Sequence, residues 1–208
     1  MRFSHFLEGA SCPGTFRLCA AIALLRAGTG VEVAELALDD RIFGSELLLS
    51  SPNLRALDSL GVADAVVAAG VPISSVEFHT ADGAEVASVP MPAVAREDLP
   101  PAVGVTRRAF YSALYDAAVA AGAKISHEKT VEAIADVETG VEARLSDGRI
   151  TRYDLVVGAD GWASAVRRLR FPNAELPQYA GQCVWRGRVP RRGKGSLRGY
   201  AGAGRTPR

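Results

Sequence analysis

A glycine-bearing turn near the start of the chain is the first group of residues whose types and spacing could hold a ligand. It runs from Gly9 to Gly14 with the letters GASCPG, and Ser11 stands at its middle position. Glycines let the backbone approach a pyrophosphate, and the N-terminus of a following helix offers free N–H groups to the same anion. These three residues are therefore candidate nucleotide contacts, although an ordinary glycine loop explains the pattern equally well.

The start of the helix after this turn is irregular. Its apolar run begins at Leu18, so residues 15–17 make the turn about three residues longer than a compact phosphate-binding turn requires. If the helix is aligned with such a turn instead, the glycine positions fall on Cys12, Gly14 and Arg17, and two of the three glycines are lost. We therefore expect a degenerate turn with a less well placed helix N-terminus.

An acidic residue ends the next predicted strand. The alternating segment Val31–Glu35 is typical of a strand, and Glu35 follows Gly14 by 21 residues. At this distance an acidic side chain can accept hydrogen bonds from the hydroxyls of a ribose. A solvated carboxylate at a strand end is the alternative. Arg41, six residues further on, is either a contact along the nucleotide or part of a charged loop.

The most specific segment lies between Asp154 and Arg167. An apolar strand delivers Asp160 and Gly161 at its C-terminal end, and a serine and an arginine follow. This stretch, DLVVGADGWASAVR, resembles the second fingerprint of the FAD-dependent aromatic hydroxylases, the p-hydroxybenzoate hydroxylase-like class A flavoprotein monooxygenases. The resemblance implies that Asp160 and Gly161 lie near the pyrophosphate of FAD and that the segment also serves NAD(P)H binding.

Other segments resemble the same family over roughly residues 18–190. Arg107 stands where the family has a first-turn arginine that contacts the phosphate and ribose of FAD, and Val131 begins a strand whose backbone meets the adenine. The segment 182–186 resembles the opening of the substrate-domain sheet. The resemblance therefore implies FAD as the cofactor, NAD(P)H as the reductant and a small aromatic molecule as the substrate.

Several features depart from the family pattern. Glu46 stands where the family commonly has a glycine, and Ala109 replaces a frequent acidic residue. The chain has 208 residues, fewer than is usual in the family, and it lacks the Gly-Asp segment that holds the flavin. We therefore expect a form that is truncated before the substrate domain is complete and that is catalytically incomplete.

The elements that must position these residues follow from periodicity, glycine stops and turn residues. A strand at 3–7, a helix at 18–27 and the strand at 31–35 form a βαβ unit. The further predicted helices span 53–60, 62–69, 106–121 and 164–169, and the further predicted strands span 76–79, 84–89, 124–127, 130–137, 141–146 and 152–157. Asp82-Gly83 should form a two-residue hairpin turn, and Thr106 should cap its helix.

These elements indicate an α/β fold with a β-rich excursion, and the resemblance implies a Rossmann-type FAD-binding fold of the glutathione-reductase-like kind. We expect an FAD-binding domain at 1–180, with an inserted hairpin and loop at about 72–104. Residues 181–190 should begin the substrate-domain sheet. Residues 191–208 carry six basic side chains, five glycines and no acid, which predicts a disordered tail or a frame artefact of GC-rich coding.

Composition excludes several functional classes. The formal net charge is +1, so no global charge directs the chain to nucleic acid or to a membrane surface. Cys12, Cys19 and Cys183 show no zinc or disulfide spacing, which favours reduced thiols in the cytoplasm. The apolar run at 18–25 is too short to span a bilayer, with the core of a signal peptide as the alternative. The three histidines lack ligand spacing, so no metal site is expected.

The preferred hypothesis is an FAD-binding oxidoreductase that hydroxylates an aromatic or similar small substrate with NAD(P)H. One alternative is a nicotinamide-dependent oxidoreductase that uses the first βαβ unit without a flavin. The other is a non-catalytic remnant or partner-binding fragment. We further expect Glu35, Arg107 and Asp160 to converge at the carboxyl ends of the parallel strands, where ligands of open α/β sheets bind. Neither the catalytic residues nor the oligomeric state follows from the sequence.

Overall fold

The computed structural model describes residues 4–9, 14–36, 46–93 and 96–181, and of residues 4–9 the backbone alone. The chain divides into two compact units, Met1–Ala174 and Glu175–Arg208. All the helices and strands given below belong to the first unit. The described residues of the second unit, 175–181, form neither a helix nor a strand.

Within the described ranges, the helices are α1 (Thr15–Arg26), α2 (Ser51–Ser59), α3 (Ala63–Ala68), α4 (Arg107–Ala120) and α5 (Ala165–Arg170). The strands are β1 (Ser4–Gly9), β2 (Gly30–Glu35), β3 (Glu46–Ser50), β4 (Val71–Ile73), β5 (Ser75–His79), β6 (Glu85–Pro90), β7 (Ala102–Thr106), β8 (Lys124–His127), β9 (Val131–Val137), β10 (Gly140–Leu145), β11 (Ile150–Tyr153) and β12 (Leu155–Gly158).

A parallel sheet is formed by β12, β1, β2 and β8 in that order. Gly9 lies opposite Glu35, and Glu35 lies opposite His127, so the carboxyl ends of three strands are level. On the other side of β1, Glu8 lies opposite Gly158, the last residue of β12. Because the strands are parallel, the segments that leave their carboxyl ends meet at one edge of the sheet.

Helices α1 and α4 pack against each other and supply much of the apolar core. Leu18 and Ile22 in α1 are four residues apart, as are Phe110, Leu114 and Ala118 in α4, so each helix presents one apolar face. All five side chains are buried. This packing fixes α1 against α4.

The N-terminus of α4 is capped as the sequence predicts. The Oγ1 of Thr106 accepts a hydrogen bond from the N–H of Ala109 at 3.1 Å. Gly122 follows the helix with a φ of +99°, a conformation that glycine adopts at little cost. The predicted helix at 106–121 is therefore confirmed to within one residue at each end.

Two antiparallel sheets and one hairpin complete the described fold. The sheets have the strand orders β11-β10-β9 and β3-β7-β4, and the hairpin is β5-β6. The predicted strands that became β1, β2, β5, β6, β8, β9 and β10 are confirmed, as are the helices α2, α3 and α5, with small shifts of their ends. The sequence did not predict β3, β4 and β7, which form a sheet of their own.

Two local predictions are wrong. In the hairpin, the N–H of Thr80 donates to the carbonyl of Ala84 at 2.9 Å, so three residues lie between the closing pair and not two. Gly83 takes a φ of +89°, which is the glycine position of a three-residue hairpin loop. The strand predicted at 152–157 is two strands, because the chain leaves the antiparallel sheet after Tyr153 and enters the parallel sheet at Leu155.

Some predictions fall on parts of the chain outside the described residues. These are the contacts at Ser11 and Arg41, nearly all of the substrate-sheet segment 181–190, and the tail 191–208. The domain boundary at 180 also remains a prediction.

Candidate functional site

Three of the predicted site residues lie at the same end of the parallel sheet. Gly9 ends β1 and is the register partner of Glu35, which ends β2. Gly158 ends β12 on the other side of β1, and Asp160 follows it by two residues. Asp160 therefore lies at the end of the sheet where open α/β sheets bind their ligands.

Helix α1 begins immediately after the glycine turn. Gly14 is its N-cap residue, and the N–H of Leu18 donates to the carbonyl of Gly14 at 3.0 Å. Residues 15–17 are therefore the first helical turn, which corrects the helix start predicted at Leu18. The backbone hydrogen bonds of a helix form whether or not the side chains of its first turn are apolar. The first apolar residue, Leu18, therefore lies three residues after the true start of α1. This helix start agrees with the alignment that places the second and third glycine positions at Gly14 and Arg17.

The side chain of Arg17 reaches Glu35. Its Nη2 forms an ion pair with Oε2 of Glu35, and the two residues are only 1% and 2% exposed. A Cβ placed on Gly14 would lie 2.5 Å from the Cζ of Arg17, so the guanidinium fills the space beside this glycine. Glu35 is therefore not a solvated carboxylate at a strand end, because Arg17 holds it in the interior.

Asp160 holds the start of α5. Its Oδ2 accepts hydrogen bonds from the N–H groups of Ala165 at 2.5 Å and of Val166 at 3.1 Å. The Oγ of Ser164 accepts a third from Arg167 at 2.9 Å, so both side chains satisfy N–H groups of the first helical turn. The Oδ1 of Asp160 is buried and has no hydrogen-bond partner among the described residues.

An open pocket of about 420 Å³ lies beside Asp160. Its lining includes Gly158, Gly161, Arg167 and Phe171. A Cβ on Gly158 would come within 2.8 Å of Val166, so this glycine allows α5 to approach the end of β12. The pocket offers a guanidinium, an exposed aromatic ring and a carboxylate to a small polar ligand or to part of a larger one.

Val131 lies beside the carboxyl end of β2, whereas Arg107 lies at the start of α4. Val131 begins β9 and packs in one cluster with Ala34, the residue before Glu35. The N–H of Lys129 donates to the carbonyl of Glu35 at 3.1 Å, which holds the approach to β9 beside the end of β2. Arg107 is half-buried and is the first residue of α4, the helix that packs on α1.

Two residues at this edge are not apparent as site residues from the sequence. Arg17 only interrupts the glycine pattern of the turn there, whereas in the structure it is the partner of Glu35. The signal for that pairing was a charged residue one position before the apolar run. His127 ends β8 opposite Glu35, and its Nε2 lies 3.4 Å from the hydroxyl of Tyr115. Its place at the end of a predicted strand was the same signal that selected Glu35.

Glu32 of β2 joins the parallel sheet to the antiparallel one. Its Oε2 accepts a hydrogen bond from the hydroxyl of Tyr153 at 2.8 Å, and its Oε1 pairs with Arg149. Burial, followed by this hydrogen bond, raises the pKa of Tyr153 above the ordinary value of a phenol. Burial also raises the pKa of the Cys19 thiol in α1.

The described ranges hold no candidate for a metal site or for a membrane-spanning helix. No group of three or more His, Cys, Asp and Glu side chains there could hold a metal ion. No helix in those ranges is both long enough and apolar enough to cross a bilayer.

A family profile and individual relatives place this chain in one family. The profile of a family described as FAD binding domain matches residues 13–176. Aurachin C monooxygenase/isomerase from Stigmatella aurantiaca is 34% identical over 176 residues, and 3-hydroxybenzoate 6-hydroxylase 1 from Aquipseudomonas alcaligenes is 31% identical over 197 residues. The chain belongs to the FAD-dependent aromatic monooxygenase family. The resemblance drawn from the sequence is thereby confirmed.

The family match covers most of this chain but less than half of each relative. The matched segments are 82% and 91% of this chain, and 44% and 48% of the two relatives. Among solved structures, the tetrameric form of 2-methyl-3-hydroxypyridine-5-carboxylic acid oxygenase has a TM-score of 0.66 at 30% identity, over 82% of this chain and 42% of that one. The predicted α/β FAD-binding fold is therefore confirmed, as a partial fold of the family.

The cofactor of the family fits the site in two places and not in a third. The N-terminus of α1 suits a pyrophosphate, and the buried Oδ1 of Asp160 can accept a hydrogen bond from a donor such as a ligand hydroxyl. The carboxylate of Glu35, in contrast, is held by Arg17, whose guanidinium fills the space beside Gly14. As they are placed, these residues do not fit the ribose of FAD.

Proposed function

We propose that this chain is the FAD-binding portion of an NAD(P)H-dependent monooxygenase that hydroxylates an aromatic or similar small substrate. The observation that carries the proposal is the position of Gly9, Glu35 and Asp160 at one end of the parallel sheet, in a chain of this family. Bound FAD would supply the redox chemistry that activates oxygen, with NAD(P)H as the source of electrons.

In this function the residues of the chain would bind FAD and orient it. The N–H groups at the start of α1 would face the phosphates, and Glu35 would accept hydrogen bonds from the ribose once Arg17 no longer holds it. Asp160 keeps α5 in place through its Oδ2 and offers its Oδ1 to a further donor. Arg107 and Val131 are proposed as contacts on the phosphate and adenine sides.

Titration of the purified 208-residue chain with FAD tests the binding step. We expect weak binding, measured by the quenching of flavin fluorescence, because the ribose acceptor is engaged by Arg17. ADP should compete with FAD, since it carries the same adenosine and pyrophosphate groups. A folded chain that quenches no flavin fluorescence up to the solubility limit of FAD would contradict the proposal.

Turnover is tested separately, with NADPH, oxygen and a panel of phenols added to the FAD-loaded chain. We expect hydrogen peroxide or no turnover, and no hydroxylated product. The support is that the chain spans less than half of each relative named above, whereas oxygen transfer needs a site that excludes water. Stoichiometric hydroxylated product would show that the short chain is sufficient.

A non-catalytic remnant or partner-binding fragment is the second candidate function. The observation that favours it is the buried ion pair of Arg17 and Glu35, which removes the ribose acceptor from use. A folded chain that binds neither FAD nor ADP would favour this candidate. The nicotinamide-dependent oxidoreductase without a flavin is disfavoured by the match to an FAD binding domain.

A further inference from the structure

The first turn of α1 carries a buried cation. Arg17 is the third residue of α1 and is 1% exposed, and its guanidinium pairs with the carboxylate of Glu35. A positive charge near the N-terminus of a helix is disfavoured by the helix dipole, so the negative charge of Glu35 compensates it. The guanidinium also lies against Gly14, where a Cβ would come within 2.5 Å of its Cζ.

A dinucleotide site contacts its ligand through the first βα turn and through the acid at the end of the second strand. The turn glycines and the helix N-terminus reach the pyrophosphate, and the strand-end acid reaches the ribose. The third glycine position of such a turn calls for a small residue, since helix and strand pack closely there. Arg17 stands at this position, three residues after Gly14, and its side chain extends from the turn to the acid.

We propose that Arg17 is an internal competitor for the adenosine half of FAD, and that FAD binds this chain only when the ion pair with Glu35 opens. This inference rests on the proposed function of the site as an FAD site. It assigns Arg17 an inhibitory role, in which the guanidinium occupies the carboxylate and the space that the ribose and the adjoining phosphate require.

Removal of Arg17 then has two consequences of opposite sign. In the free protein, Glu35 is left buried without its counter-charge, so the stability of the fold decreases. In the complex, ribose hydroxyls donate to the same carboxylate, and no ion pair has to open first. The apparent dissociation constant is the intrinsic one divided by the fraction of competent protein. A pair that is open for one tenth of the time or less therefore weakens binding by about tenfold or more.

The experiment compares the wild-type chain with Arg17→Gly and, should glycine prevent folding, with Arg17→Ala. FAD and ADP are titrated separately by calorimetry, and thermal unfolding is recorded with and without each ligand. We expect the variants to melt at a lower temperature without ligand, yet to bind FAD and ADP about tenfold more tightly or better. The increase of melting temperature caused by FAD should accordingly be larger in the variants than in the wild type.

Arg26→Gly is the matched control, because it removes an exposed arginine from the last turn of the same helix. It should lower the melting temperature and leave both affinities unchanged. If Arg17 is only structural, its folded variants will bind FAD as weakly as the wild type or more weakly, and that result overturns the inference while FAD binding stands. If the wild type and the folded variants bind neither FAD nor ADP, the proposed function fails and the inference fails with it.

Discussion

The buried ion pair of Arg17 and Glu35 should make the two side chains strongly non-additive in stability. Their side chains are 1% and 3% exposed, so little water is available to solvate a charge left alone. Removing one partner of such a pair costs about 3–5 kcal/mol, whereas replacing both by apolar side chains is often neutral. We expect a loss of about 3 kcal/mol or more for Arg17→Met and for Glu35→Leu, and a smaller loss for the double variant.

Urea unfolding followed by far-UV circular dichroism measures these losses. In a domain of this size a loss of 3 kcal/mol lowers the melting temperature by roughly 6–12 °C, so thermal melts give a second reading. Arg170 and Asp136 are the control pair, because their side chains are 53% and 59% exposed and Asp136→Asn should cost at most about 1 kcal/mol. Additive losses below about 1 kcal/mol at Arg17 and Glu35 would refute the reasoning, since they would show that water screens the pair.

Three further predictions concern single side chains. Asp160→Ala should lower the free energy of unfolding by about 1–2 kcal/mol in urea, because the first turn of α5 loses the acceptor of two N–H groups. The free energy of unfolding should fall as the pH rises above about 10. At that pH the phenol of Tyr153 ionises in the unfolded chain, whereas its raised pKa keeps it protonated in the folded chain. Tyr153→Phe should flatten this fall in urea midpoints measured from pH 9 to 11. Cys19 should react more slowly with iodoacetamide in the folded than in the urea-unfolded chain, by peptide mass spectrometry, because burial raises the pKa of its thiol.

Each of these predictions has an outcome that would contradict it. Ser164→Ala removes the neighbouring acceptor in the same turn, so an Asp160→Ala loss far below that of Ser164→Ala would mean that Asp160 does not hold α5. If the urea midpoint falls with pH equally steeply in the wild type and in Tyr153→Phe, folding does not raise the pKa of Tyr153. Equal alkylation rates in folded and unfolded chains would show that the thiol of Cys19 is solvated.

The α/β framework was predictable because its signals are local. The alternation of Val31–Glu35 and the short strand at 124–127 both lie within a few residues, as do Thr106 and the helix that it caps. The strands β3, β4 and β7 were not predictable in the same way. Leu47, Leu48 and Leu49 form a run without alternation, and their partners in β7 lie more than 50 residues further on.

The candidate site was predictable only in part for a related reason. The spacing from Gly14 placed Glu35 at a strand end, and the apolar strand placed Asp160 at the same end of the sheet. The burial of Glu35 under Arg17 depends on where α1 begins, and the apolar run marked that start three residues too late. A side chain that joins a helix to a strand is set by packing, which no short segment of sequence contains.

The pairing of β1 with β12 has a consequence for how the chain is made. The register partners His5 and Leu155 are about 150 residues apart, so a chain that grows from its N-terminus completes this pairing late. At about 5–20 residues per second, β1 waits roughly 8–30 s on the ribosome with β2 already available on one side and its other edge open. Long-range parallel pairing is also slow in itself. We therefore expect the nascent chain to display the open edge of β1 until residues 155–158 have been made, and to be prone to pairing with other strand edges during that interval.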